Sequence, residues 1–228
     1  MPANPPQPGP PDDALLWFWA AVRDGDINTI ERLLAAGVPR ATLEITPLSW
    51  AISDGNLSML KYLLALGFSM TEEVALAEPW DFPLHEAAQK GDLEILKVLL
   101  KQPDAKHFLN RFDDNWLGYT PLHMAVMANH PDAVRLLIAA GADVDANDEP
   151  HIGDTAIRRA VEENHESIVL MLLKAGANPD IPGWMWISAR DKAADSTPEI
   201  RRLIDAVPFR PVEHPRYIRD GQWPPRRS

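Results

Sequence analysis

Seven histidines are the first candidates for acid–base or metal chemistry: His85, His107, His123, His130, His151, His165 and His214. A zinc protease needs two histidines one helical turn apart, with a glutamate between them as base, in the pattern H-E-x-x-H. His85-Glu86 and His165-Glu166 begin that string, and neither is followed by the second histidine. The run Asp143, Asp145, Asn147, Glu149 has the alternating oxygen donors of a calcium loop. However, Asp148 stands where such a loop needs glycine, and Asp154 stands where it needs its last glutamate. There is no G-x-G-x-x-G, no G-x-x-x-x-G-K-[ST] and no G-x-S-x-G, so neither a phosphate cradle nor a hydrolase elbow is signalled. Carboxylates are numerous, but none is singled out as a general acid–base pair. The chain has no cysteine, which removes thiolate ligands, disulfides and cysteine nucleophiles. These residues predict no catalysis, no cofactor and no metal.

The elements that carry these residues recur. Five segments align on one alanine: Thr46-Pro47-Leu48-Ser49-Trp50-Ala51, Phe82-Pro83-Leu84-His85-Glu86-Ala87, Thr120-Pro121-Leu122-His123-Met124-Ala125, Thr155-Ala156-Ile157-Arg158-Arg159-Ala160 and Ser188-Ala189-Arg190-Asp191-Lys192-Ala193. The alanines are 36, 38, 35 and 33 residues apart, and an earlier unit runs Leu16 to Ala21. Each alanine is followed by a polar step and a second apolar helix, such as Leu93–Leu100 or Ile168–Leu173. Four second helices end at a glycine: Gly37, Gly67, Gly141 and Gly176.

This pattern resembles the ankyrin-repeat family, whose hallmark is T-P-L-H-x-A at a period near 33. Thr120 to Ala125 matches in full, and the resemblance covers about Leu15 to Ala206. It implies an all-α solenoid of about six helix-turn-helix repeats with hairpin fingers. The residue types have physical reasons. A threonine hydroxyl caps orphan helix N–H groups, and proline at the first helical position forfeits no hydrogen bond. The leucine points into the stack, the alanine permits close helix approach, and the glycine takes the left-handed conformation that ends the second helix. One unit cannot bury its own apolar face, so stacked neighbours make the core. Two joints depart from the pattern. Pro103 replaces the terminal glycine of its unit before a long linker to Thr120, and only nine positions separate Gly37 from Thr46, too few for a full hairpin. The resemblance gives His85 and His123 structural hydrogen bonding.

Three segments are expected: a proline-rich segment 1–13, a repeat domain 14–206, and a Pro/Arg-rich tail 207–228. Met1 to Pro11 holds six prolines and no charge, so it does not read as a signal peptide. In the first unit Leu15, Trp17, Phe18 and Trp19 crowd one helix, to be covered either by that proline-rich start or by a partner. The last unit, Ser196 to Ile204, is polar, as suits a cap. No apolar run approaches the ~20 residues of a membrane span. With no cysteine, a reducing compartment fits, and a cytoplasmic location is expected.

The net charge is −11; the tail from Val207 carries five arginines against Glu213 and Asp220, a local +3, which leaves −14 for the rest. A body this acidic repels phosphate backbones and complements a basic protein. The expectation is a chain that is monomeric when free and binds a basic protein partner, with no nucleic acid and no membrane. Family resemblance puts binding on finger tips and on the concave ends of the first helices. Carried over, the tips include Asp81, Trp116, Leu117, Tyr119, His151, Asp154, Trp184 and Met185. The helix positions include Asp54, Gln89, Lys90, Met127, Glu162 and Glu163, with Arg23, Asp24, Ser53, Ala128, Asp195 and Ser196 in the same register. Trp116 with Tyr119, and Trp184 with Trp186, are either packed between fingers or presented as binding anchors. Trp186 replaces the hairpin glycine, which leaves an inward course open to it. Alternatives are an inhibitor or immunity-type protein that neutralises a basic toxin or enzyme, and an adaptor acting through proline-rich tails.

Overall fold

The computed structural model describes residues 14–37, 47–70, 82–113, 118–148, 153–210 and 212. The remaining residues of segments 1–13 and 207–228 lie outside this set, as do Asp81, Trp116, Leu117 and His151. Thirteen helices and no strand form among the described residues, with one isolated bridge between Pro182 and Ser188. No helix among them is long and apolar enough to cross a membrane.

The helices fall into two rows. The inner row is α1 (Ala14–Asp24), α3 (Pro47–Ser53), α5 (Pro83–Lys90), α8 (Pro121–Met127), α10 (Ala156–Glu162) and α12 (Ala189–Ala193), each packed on the next. The outer row is α2 (Ile27–Ala35), α4 (Leu57–Ala65), α6 (Leu93–Leu99), α9 (Pro131–Ala139), α11 (Glu166–Lys174) and α13 (Pro198–Asp205), and from α4 onward it packs in sequence. Short α7 (Ala105–Leu109) is an addition. It fills the long linker after Pro103, buries Phe108 and Leu109, and is tied back by Met70 N–H donating to Asp104 Oδ2 at 3.0 Å.

The repeat motif explains both boundaries and core. Thr155 and Thr197 accept backbone N–H groups at the starts of α10 and α13, and Thr120 forms a reciprocal box with His123. Gly37, Gly67, Gly141 and Gly176 have φ of 83°, 89°, 95° and 98°, the left-handed values that end the outer helices. Leu48, Leu84, Leu122 and Ile157 occupy one register and are fully enclosed, beside the equally buried Ala51, Ala87, Ala125 and Ala160. Each such leucine contributes about 1.5–3 kcal/mol by leaving water.

In the last repeat that inward register holds Arg190. Its guanidinium grips Asp180 through two bonds, at 2.5 and 3.2 Å, and donates to the carbonyls of Ile204 and Val207 at 2.9 and 3.0 Å. A stack ends where the next apolar layer is absent, and there the arginine satisfies carbonyls at the end of α13 instead. Beyond α13, Arg210 N–H also donates to Asp180 at 2.9 Å, so the first tail residues lie along the last finger.

Candidate functional site

The motif histidines are built for structure. His123 Nδ1 accepts from the Thr120 N–H at 3.2 Å, and its Nε2–H donates to Asp154 O of the next repeat at 3.2 Å. His85 Nε2–H points to the carbonyls of Arg111 and Tyr119, each at 3.0 Å. Its Nδ1 is buried without a hydrogen-bond partner, and Phe82, which has no hydroxyl, stands where Thr120 precedes His123. Burial, against the pull of Asp113 on His85 and of Asp154 on His123, lowers both pKa values to about 4, so both rings are neutral. The residues that resembled a calcium loop instead join fingers. Asn110 Oδ1 takes the Asp143 N–H at 2.8 Å, Asp145 Oδ1 takes the Asn178 N–H at 2.8 Å, and Asn147 donates to Pro182 O at 3.3 Å.

Two expected tip residues are not at the surface. Tyr119 is 3% exposed and Asp154 is 2% exposed. Each follows a glycine in left-handed conformation, Gly118 at 59° and Gly153 at 58°, that turns the chain back into the stack. Asp154 Oδ1 accepts from Arg158 Nη1 at 2.8 Å, and Oδ2 lies 2.5 Å from Arg159 Nε as an ion contact. Arg159 also donates to the Tyr119 hydroxyl and lies over its ring, 5.3 Å from the centroid. The sequence reading missed this cluster, although the signal was present: Asp154 and Arg158 are one helical turn apart.

The inner-helix row is at the surface. Asp24, Asp54, Gln89, Lys90, Met127, Glu162, Glu163 and Asp195 are all exposed at the ends of successive inner helices. Arg23 pairs with Asp24 at 2.8 Å, and Lys90 Nζ donates to Ser53 O at 3.0 Å, stitching two repeats. Glu162 is not a free acid. It meets Lys192 at 3.1 Å, with Arg159 at 3.5 Å and Arg158 at 3.7 Å. Burial pushes its carboxyl up, but those cations outweigh burial and hold it below the usual value. The exposed acidity of this row therefore rests on Asp54, Glu163 and Asp195 more than on Glu162.

The last finger carries a short 3-10 turn, Trp184–Trp186. Met185 is 65% exposed and Trp186 is 41% exposed, so Trp186 does not take an inward course.

The family model for ankyrin repeats, three copies long, matches residues 17–107 and 84–182. The chain belongs to the ankyrin-repeat family. It is similar to the nuclear factor NF-kappa-B p105 subunit of Rattus norvegicus, 36% identical over 111 residues, which are 48% of this chain and 11% of that protein. It is similar to the human ankyrin repeat and SOCS box protein 3, 32% identical over 96 residues, 42% of this chain and 18% of that one. A putative ankyrin repeat protein of fowlpox virus, FPV240, is 30% identical over 132 residues, 55% of this chain and 29% of the viral protein. The chain thus matches less than a third of the length of each of these relatives. Ankyrin repeats are generally non-enzymatic modules of protein–protein interaction.

Proposed function

We propose that this chain binds a basic protein partner, without catalysis, through the inner-helix row and the adjoining fingers. The observation that carries the proposal is the row itself. Asp54, Gln89, Lys90, Met127 and Glu163 are exposed on consecutive repeats, each two or three residues past the buried motif alanine. A rigid row of this kind lowers the ordering cost of association, and its acids favour a Lys- or Arg-rich surface. Occupying such a surface would neutralise a basic toxin or enzyme, which makes inhibition the first activity to assay on any partner found.

The test compares the native chain with Asp54→Arg/Glu163→Arg in capture from the source lysate, followed by kinetics with the purified partner. Both positions are exposed, so the thermal midpoint should hold while binding is lost and the native association rate falls as salt rises. Glu162→Arg is the wrong probe, since it would place a fourth cation against Arg158, Arg159 and Lys192. A partner that binds the double variant unchanged would remove the row from the interface. A salt-insensitive rate would remove the electrostatic part.

A further inference from the structure

The first end of the stack differs from the later repeats. Counted from the motif alanine, Leu16 stands in register with Phe82, Thr120, Thr155 and Ser188, all of which are buried. Trp17 stands in register with Pro47, Pro83, Pro121, Ala156 and Ala189, which are buried as well. Yet Leu16 is 69% exposed and Trp17 is 60% exposed. Ile27, at the start of α2, is 42% exposed, whereas Leu57 and Leu93 in its register pack against the core.

The cause is position in the stack. Each later inner helix has another packed before it, and α1 has none among the described residues. The side of α1 that meets the second repeat is committed. Phe18 is fully enclosed with its ring 6.2 Å from that of Phe68, and Trp19 lies 5.7 Å from Trp50. The exposed charges of α1, Arg23 and Asp24, pair with each other at 2.8 Å. A leucine, an indole and an isoleucine are left in water without a charge of their own.

The sequence just before α1 matches this patch. From Pro2 to Pro11 it holds no charged side chain, and Pro2, Pro5, Pro8 and Pro11 recur at every third residue. A polyproline II helix has three residues per turn, so this spacing sets those four rings along one edge. Such an edge packs on aromatic side chains at little ordering cost, because the prolines hold the extended form beforehand. At ~3.1 Å per residue the segment reaches about 30 Å, against a length of about 16 Å for α1. Asp12 and Asp13 join the two, so the contact is within one chain, at an effective concentration on the order of millimolar.

We propose that residues 2–11, which lie outside the described residues, dock their proline edge on Leu16 and Trp17 and close the first end of the stack. The occupant is this chain's own segment, because the proline spacing, the absence of charge and the short connection all belong to it. The contact is separate from the inner-helix row and does not rest on the protein-binding reading.

Contacts in a stack are nearest-neighbour, so an uncovered end opens locally, and hydrogen exchange of the α1 and α2 amides reads that opening. Deleting residues 2–11 should speed this exchange about fivefold or more, while α10 and α11 exchange as before. Trp17→Ala should speed it similarly in the native chain and little further in the truncated one, because both changes remove the same contact. Equal effects of Trp17→Ala in the two backgrounds, or a deletion that leaves α1 and α2 unchanged, overturn the docking.

The proline edge is tested in the full chain at constant proline number. Pro5→Ser/Pro8→Ser breaks the edge and should act like the deletion, whereas Pro6→Ser/Pro10→Ser leaves it whole and should act far less. Equal effects of the two pairs overturn the edge. Analytical ultracentrifugation separates the occupants: the native chain should sediment as a monomer across concentrations. A native dimer that is lost on Trp17→Ala gives the patch to a second copy and overturns the proposal.

Discussion

Acidification should unfold this protein through two buried rings. His85 and His123 are neutral in the fold with pKa values lowered to about 4 by burial, against 6.5 for the free side chain. The sign follows from proton counting. Below pH 6.5 the unfolded chain takes up protons at these positions that the fold refuses until about pH 4. Stability is therefore full above pH 6.5 and falls progressively as pH drops towards 4. Between pH 7.5 and 5.5 each histidine costs about 1 kcal/mol, and the pair roughly 2–3 kcal/mol, if their effects add. That is a large part of a typical total of about 5–15 kcal/mol. The assay is urea unfolding at those two pH values, on the native chain and on His85→Gln/His123→Gln. The double variant should be weaker at pH 7.5, since it loses the cross-repeat bonds to Tyr119 O and Asp154 O, yet its pH dependence should flatten. A native chain equally stable at both pH values, or a variant with the same slope, would refute the argument.

Three further outcomes are expected. Asp154→Ala strands Arg158 and Arg159 without their shared acid, and should cost about 3–5 kcal/mol in urea unfolding; a loss near zero would mean that water or Glu162 compensates them. Arg190→Leu restores the apolar residue common in the earlier repeats but leaves Asp180 buried without its cation, so it should destabilise by a similar ~3–5 kcal/mol, and a gain in midpoint would refute the capping role. Gly141→Ala meets nothing within 4 Å and should cost about 1 kcal/mol of backbone strain alone, whereas Gly91→Ala would put its Cβ 2.5 Å from the His130 ring and should cost clearly more; equal losses would contradict that packing.

The periodic features were legible because they are local. Thr120-Pro121-Leu122-His123 encodes its own cap, its helix start and its core contact within one turn, and it repeats at other units. The terminal glycines could be read for the same reason, since a left-handed residue after an apolar helix is a local demand on the backbone. The extra helix α7 was foreshadowed only as a long linker, because its reason for folding, the burial of Phe108 and Leu109 and the tether of Asp104 to Met70, lies 34 residues away.

The candidate site was less legible. The sequence register puts Asp154 and Glu162 at the surface and leaves Tyr119 either packed or presented, whereas the structure buries Tyr119 and Asp154 and surrounds Glu162 with cations. Register tells which way a helix position points, not what the adjacent repeat sets beside it. Trp186 gave no hint of its left-handed backbone, which follows from the finger folding on Gly183 and Gly153. The sequence by itself determined the repeat, the helix ends and the leucine–alanine core, because each depends on interactions within one unit or between identical neighbours. Only the tertiary structure decided which charges pair within the fold, because ion pairs such as Asp154–Arg159 and Glu162–Lys192 depend on side chains brought together across turns and repeats.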